Sequence, residues 1–272
     1  MIAGQSGYHN ALRDLSDAPP LLWALGNLSL LQKLMIALVG ARNASSLGAR
    51  MTKKLATNLD DAGFVIVSGL ARGVYTAAHI AVLPTGTIAV QTGGVDVIYP
   101  IENSGLTQDI TKSGMRLSEM PMGIQPQARH FLPRSRIISG LGCATVVAGA
   151  AAKSGSLITA RNALDQSRDA FAVPGHPFDA RTAGCNMLIR DGATLIHNAD
   201  DVIVAVGRVT VQPALDLPPP APKPQRTLRN IAGLHAQILD RLGPSPVAED
   251  QLIRDLGAPP HNNSPRHRLT RT

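Results

Sequence analysis

The stretch Lys153-Ser154-Gly155-Ser156 puts a cation, two hydroxyls and a glycine on one short turn that runs straight into the periodic SLITARNAL. A turn that opens a helix presents backbone N–H groups, and with a cation alongside this is chemistry for holding an oxyanion. That oxyanion is a nucleotide's phosphate, a carboxylate or the backbone of a nucleic acid. Three more turns have the same character: GARNASSLG (40–48), SGLARG (68–73) and QTGGVDVIYP (91–100). Gly40 and Arg42 belong to the first; Ser68, Gly69, Arg72 and Gly73 make up the second's donors. Backbone donors beside arginines describe a site for several phosphates. A fifth stretch, RHFLPRSRIISG (129–140), gathers Arg129, His130, Arg134 and Arg136 around one ring, Phe131. This combination suits single-stranded nucleic acid, because cations track the phosphates while a ring stacks a base.

Other chemistries fit less well. The first turn lacks the G-x-G-x-x-G spacing, and Ser68–Gly69 stand where a dinucleotide-binding strand would end in an acid. No G-x-x-x-x-G-K-[ST], G-x-S-x-G or H-E-x-x-H occurs. His79 falls within a helical stretch and His176 in a loop, so neither pairs with an obvious nucleophile. Asp96 is the one carboxylate well placed on the rim, and its expected role is to cap the turn leading to Tyr99–Pro100. Cys143 and Cys185 have no metal-ligand spacing and are expected to be reduced. We expect no catalytic set, no metal and no cofactor.

Short apolar runs alternating with amphipathic stretches must position these turns. MIALVG (35–40), FVIVSG (64–69), TIAVQTGG (87–94), ATVVAG (144–149), DAFAVPG (169–175) and ATLIHN (193–198) read as strands. Helices are expected at 49–63, where Met51, Leu55, Leu59 and Ala62 share a face, and at 74–83, 156–168, 185–192 and 199–206. A crossover helix between successive strands implies a parallel sheet. The expected fold is therefore α/β: a Rossmann-like, doubly wound, mostly parallel sheet, whose ligands sit beyond the carboxyl ends of the strands. Every glycine-rich turn named above falls there.

The expected organisation is an N-terminal segment (1–34), the Rossmann-like domain (35–207), a Pro-rich linker (208–227) and a short helical remnant with a tail (228–272). Dense prolines at 211–227 favour extended backbone. Beyond them, 228–243 and 248–257 read as helices, and APPHNNSPRHRLTRT is too polar to pack. The 272 residues carry a net charge of +7, a balance that favours polyanions as partners. Aromatics are only 3%, so base stacking must rely on one or two rings. No apolar run is long enough for a membrane span and the N-terminus has no signal-peptide pattern, so a cytoplasmic protein without membrane contact is expected.

Taken in order, GAR, SGLARG followed by AH, GTIAV followed by DVIYP, RSRIISGL, SGSLITAR, FAVPG and GCNMLIRDGA resemble the DNA-processing protein A family (DprA, also called Smf) over roughly residues 17–206. The resemblance implies a non-enzymatic recombination mediator. It would bind single-stranded DNA entering in natural transformation, protect it and help load the RecA recombinase. It also implies a homodimer with DNA in a basic pocket. Arg42, the SGLARG turn and the SGSL turn match the family's pocket motifs. The DNA-binding set expected from residues and resemblance together is Gly40, Arg42, Ser68, Gly69, Arg72, Gly73, Phe131, Arg134, Arg136 and Lys153 through Ser156.

The chain departs from the family pattern at several points. Val74–Tyr75 replace a hydrophobic–Asp pair after SGLARG, Ser135 stands within what is usually R-N-R, and Gly149 replaces a Glu before SGSL. Losing two acids makes the rim more positive. The C-terminal stretch resembles the first two helices of a winged helix without its recognition helix and wing. Two alternatives are set against the mediator. One is a Rossmann-like nucleotide phosphoribohydrolase, disfavoured because its P-G-G-x-G-T motif and catalytic Glu are missing. The other is a folded remnant whose pocket no longer binds DNA.

Overall fold

Five consecutive buried residues at 35–39 and five more at 65–69 form the central strands of the sheet. Strands covered on both faces carry unbroken apolar runs rather than alternation, which is why these two are so plain in the sequence. The structure is a computed structural model that describes residues 1–3, 7–210 and 228–241. Along the chain come α1 (Asn10–Arg13), β1 (Trp23–Gly26), β2 (Met35–Val39), α2 (Ser46–Asp61), β3 (Val65–Gly69), α3 (Val74–Ala81) and β4 (Ile88–Val90). They are followed by α4 (Ser104–Ser113), β5 (Met115–Ser118), α5 (Phe131–Leu141), β6 (Ala144–Val147), α6 (Ser156–Asp165) and β7 (Asp169–Ala172). Last are α7 (Ala183–Arg190), β8 (Thr194–Leu195), α8 (Ala199–Thr210) and α9 (Leu228–Arg241).

Among the described residues eight strands form one sheet in the order β1-β5-β4-β3-β2-β6-β7-β8. Every pair is parallel except β1 with β5, so the mostly parallel, doubly wound sheet is present as expected. The chain winds outward from β2 through β3, β4 and β5, then returns to place β6 on the other side of β2. That reversal opens a crevice at the carboxyl ends of β2 and β6, where a doubly wound sheet binds its ligand.

Alternation along β2 divides the core. Ile36 and Leu38 face Leu55 and Leu59 of α2, Val74 and Ala78 of α3, and Val202 and Val206 of α8. Met35, Ala37 and Val39 face Ile137, Ile138 and Leu141 of α5, Leu157 and Ala160 of α6, and Leu188 of α7. Each fully buried leucine contributes roughly 2 kcal/mol of transfer free energy, so the two layers together hold the strand ends rigid beneath the crevice.

Two strands, β1 and β5, and three helices, α1, α4 and α5, lie outside the expected set. β1 is a short edge strand, half of it exposed, with no alternation to mark it. β5 carries Arg116, a charge that argues against a buried strand; its Nε donates to Gln91 Oε1 at 2.9 Å and Nη2 to the Val97 carbonyl at 3.2 Å. α5 contains Pro133 in its first turn, where a missing N–H costs no helical bond. Residues 1–34 lie within the same compact unit as the sheet, Met1–Pro213; the second unit is Ala214–Thr272. Of that second unit only α9 is described, and the expected helix at 248–257 and the tail lie outside the described residues. Both cysteines are free, and burial pushes the Cys185 thiol up to about 11. No helix among the described residues is long and apolar enough to cross a membrane.

Candidate nucleic-acid interface

A cavity of about 610 Å³ occupies the crevice. Its walls are the turn after β2 (Gly40 to Asn43), the turn before α6 (Ala151 and Lys153 to Ser156), and the first turn of α5 (Phe131, Leu132, Arg134 and Ser135). Tyr75 from α3, Ile158 from α6 and Arg181 from the loop after β7 complete it. Of the expected residues, the structure brings together Gly40, Arg42, Phe131, Arg134, Lys153, Ser154, Gly155 and Ser156.

Arg134 is the unusual member. It is 6% exposed, yet no hydrogen bond to its guanidinium occurs among the described residues, and its buried Nε has no partner. Two rings hold it instead. Its Cζ lies 5.3 Å from the centroid of Phe131 and 5.9 Å from that of Tyr75. The group rests on the backbone at Gly69, where a Cβ would stand 2.8 Å from Cζ, so the close approach requires glycine. Burial lowers its pKa, Tyr75 opposes that and Arg42 adds to it. A guanidinium nonetheless stays protonated in proteins, so α5 carries an unneutralised charge into the interior. Burying a charge without a partner costs several kcal/mol, and an anion delivered to the cavity offsets that cost.

The remaining cations are more open. Arg42 is exposed and its Cζ stacks 4.6 Å from the Phe131 centroid. Phe131 thus has both Arg42 and Arg134 over its ring and makes an edge-type contact with Tyr99, ring centroids 6.4 Å apart. Lys153 is exposed on the opposite turn. Arg181 donates to both oxygens of Asp179, at 2.9 and 3.2 Å. Four cations and no Asp or Glu line the cavity.

The KSGS turn supplies less than its sequence suggests. Ser154 N–H donates to the Ala151 carbonyl, Ser156 N–H to Ser154 Oγ, and Leu157 N–H to the Ser154 carbonyl. The two serine hydroxyls lie 2.7 Å apart and bond each other. Two of the turn's four backbone N–H groups, those of Ser154 and Ser156, are therefore engaged, and side-chain cations carry much of the positive field.

Other expected residues stand elsewhere. Ser68 is fully buried, with its hydroxyl donating to the Leu38 carbonyl. Gly73 has φ +72°, and a Cβ there would stand 2.4 Å from the Ala41 carbonyl, so it seats the Arg42 turn from below. Gly69 likewise supports Arg134 without lining the cavity. Arg72 points to Glu102, 3.7 Å away, in a largely exposed pair. Arg136 is five residues after Phe131, about 140° round the helix, whereas Arg134 is only three after it. Arg136 accordingly faces away and is gripped by Glu119 at 2.7 Å and Asp17 at 3.2 Å. The third turn reaches the site only through Tyr99, and Asp96 accepts from Gly123 N–H at 2.9 Å rather than capping its own turn.

Of the lining residues outside the expected set, Tyr75 and Arg181 bear most on its chemistry. Tyr75, noted in the sequence only as a departure, is 5% exposed and belongs to the core on the α5 side, so the ring is packed rather than disruptive. Arg181 is a cation in a loop directly following a strand, the same signal that singled out Arg42, and it was available in FAVPGHPFDAR.

Comparison with known proteins gives a consistent picture. The model of DNA recombination-mediator protein A matches residues 1–207, and that of the DprA winged helix domain matches 218–262. The chain is 45% identical to the DNA processing protein DprA of Streptococcus pneumoniae over 71% of this chain and 68% of that one. It is 41% identical to that of Bacillus subtilis over 74% and 69%. Among solved structures it is similar to the S. pneumoniae protein, with TM-score 0.73, 42% identity and coverage of 75% and 72%. It is also similar to DNA processing protein A from Helicobacter pylori, whose structure concerns that protein's single-stranded DNA binding mode, with TM-score 0.69, 32% identity and coverage of 74% and 93%.

Proposed function

The chain belongs to the DNA recombination-mediator protein A family, and we propose that the cavity between β2 and β6 is where it binds single-stranded DNA. The observation that carries this reading is Arg134: a buried, unneutralised guanidinium beside a half-buried ring, in a cavity lined by four cations and no acid. The arrangement suits a strand whose phosphates meet Arg42, Arg134 and Lys153 while a base stacks near Phe131. Gly40 and the Ser154–Ser156 turn shape the wall, and Gly69 and Gly73 support it from beneath. The single-strand binding of the H. pylori relative supports the same reading.

Such contacts read charge and ring faces rather than base edges, so binding is largely independent of sequence. Replacing Arg42 or Lys153 by Ala weakens binding by a similar factor on oligonucleotides of different sequence, each loss being roughly three- to tenfold. Fluorescence anisotropy with two unrelated labelled strands tests this. Unchanged affinity in both variants contradicts the site. Loss on one sequence only contradicts the mode of reading.

We infer a wider role, supported by the family resemblance. The protein shields bound single strands from nuclease, acts as a homodimer in the cytoplasm and helps RecA assemble on them. Light scattering tests the dimer, and RecA filament assembly on single strands with and without the protein tests the loading. A cooperative thermal transition with no oligonucleotide binding identifies a folded remnant instead.

A further inference from the structure

We propose that the cavity receives the terminal phosphate monoester of a DNA strand, with Arg134 as its innermost ligand. This rests on the single-strand reading above and narrows it to a strand end.

Depth is the first reason. Arg134 is 6% exposed, with its Cζ 5.9 Å from the Tyr75 centroid and 5.3 Å from that of Phe131, whereas Arg42 and Lys153 stand at the surface. An internal phosphate carries a nucleoside on each side, and both must enter before its oxygens reach a recessed group. A terminal phosphate carries one nucleoside, which can stay toward the mouth near Phe131. Charge is the second reason. A phosphodiester holds one negative charge and two free oxygens. A monoester holds close to two charges at neutral pH and three free oxygens. Among the lining residues Arg42, Arg134 and Lys153 have no carboxylate partner, and Arg181 shares its charge with Asp179. The planar fork of Arg134 matches two phosphate oxygens, leaving the third for a surface cation.

The test uses the full chain and one oligonucleotide sequence in five forms: 5′-phosphate, 3′-phosphate, hydroxyl at both ends, a 5′-phosphate capped as its methyl diester, and a closed circle. Affinities are read by competition against a labelled internal reference strand. The expected result is that one of the two phosphorylated forms binds roughly tenfold tighter than the hydroxyl-ended and circular forms, the two phosphate arms identifying the end. If the preferred end is 5′, the methyl cap removes the gain; if it is 3′, the same cap placed there does so. Arg134→Met abolishes the preference, and Lys153→Ala, a surface change, reduces it if the buried variant fails to fold. Equal binding of all five forms overturns this inference and leaves the single-strand reading standing. No binding of any form overturns both.

Discussion

Arg134 and Arg136 are two residues apart, and the helix gives them opposite tasks. Arg136 has two carboxylates; Arg134 has two rings and no acid. Removing a buried charge that lacks a protein partner relieves its desolvation cost. Arg134→Met is therefore expected to leave the protein as stable or about 1–2 kcal/mol more stable, while single-strand affinity falls at least about tenfold. Thermal or urea unfolding beside a binding titration checks both halves. Coupled loss of stability and binding contradicts the account of the charge. Gly69→Ala approaches the same group from below, since the new Cβ would stand 2.8 Å from Arg134 Cζ. The guanidinium is displaced, and binding weakens in a variant that touches no ligand itself. Unaltered binding by folded Gly69→Ala contradicts that placement. At this scale the sequence marked Phe131 and the cationic stretch but could not say which arginines face the cavity. That depends on the helical phase of α5, whose Pro133 and mixed polarity hide its periodicity.

At the scale of elements, α3 is tied to the sheet by His79. Thr87 Oγ1 donates to the Ile66 carbonyl at 2.7 Å, so in its 2.9 Å contact with His79 Nδ1 the ring nitrogen is the donor. Nε2 is then unprotonated and buried without a partner. Burial lowers the His79 pKa from 6.5 to about 4, with the Gly69 backbone opposing in part. The unfolded chain binds this proton more readily than the folded one. The stability from neutral His79 is thus full above pH 6.5 and is lost as pH falls toward 4, amounting to about 3 kcal/mol at most. Urea unfolding at pH 7.5 and pH 5 is expected to show this decline, and His79→Gln to flatten it; an equal decline in the variant contradicts the assignment. The strands bordering the crevice were legible because they are buried on both faces and end in small or glycine-rich turns. β1 and β5 were not, because one is a half-exposed edge and the other carries a buried arginine whose acceptors come from distant residues. The KSGS turn was legible as a turn, but not the internal hydrogen bonds that occupy the Ser154 and Ser156 N–H groups.

For the whole molecule, the net charge of +7 gains meaning from where it converges. The reversal of strand order at β2 brings turns from distant parts of the chain around one cavity, and four of its cations stand there without a lining acid. The sequence carried the doubly wound fold and the family, since strand–turn–helix rhythm and motif order are local features. It did not carry the closing of the cavity by Tyr75 and Arg181, which is a product of packing. The most direct test of the central claim is anisotropy of a labelled single strand titrated with the full chain over a salt series, with duplex as competitor. The account predicts tight binding at low salt, a log–log slope of about −0.7 per phosphate engaged, a slope shallower by about one phosphate in Arg42→Ala, and weak competition by duplex. Absence of single-strand binding at low salt, or binding indifferent to salt, contradicts it.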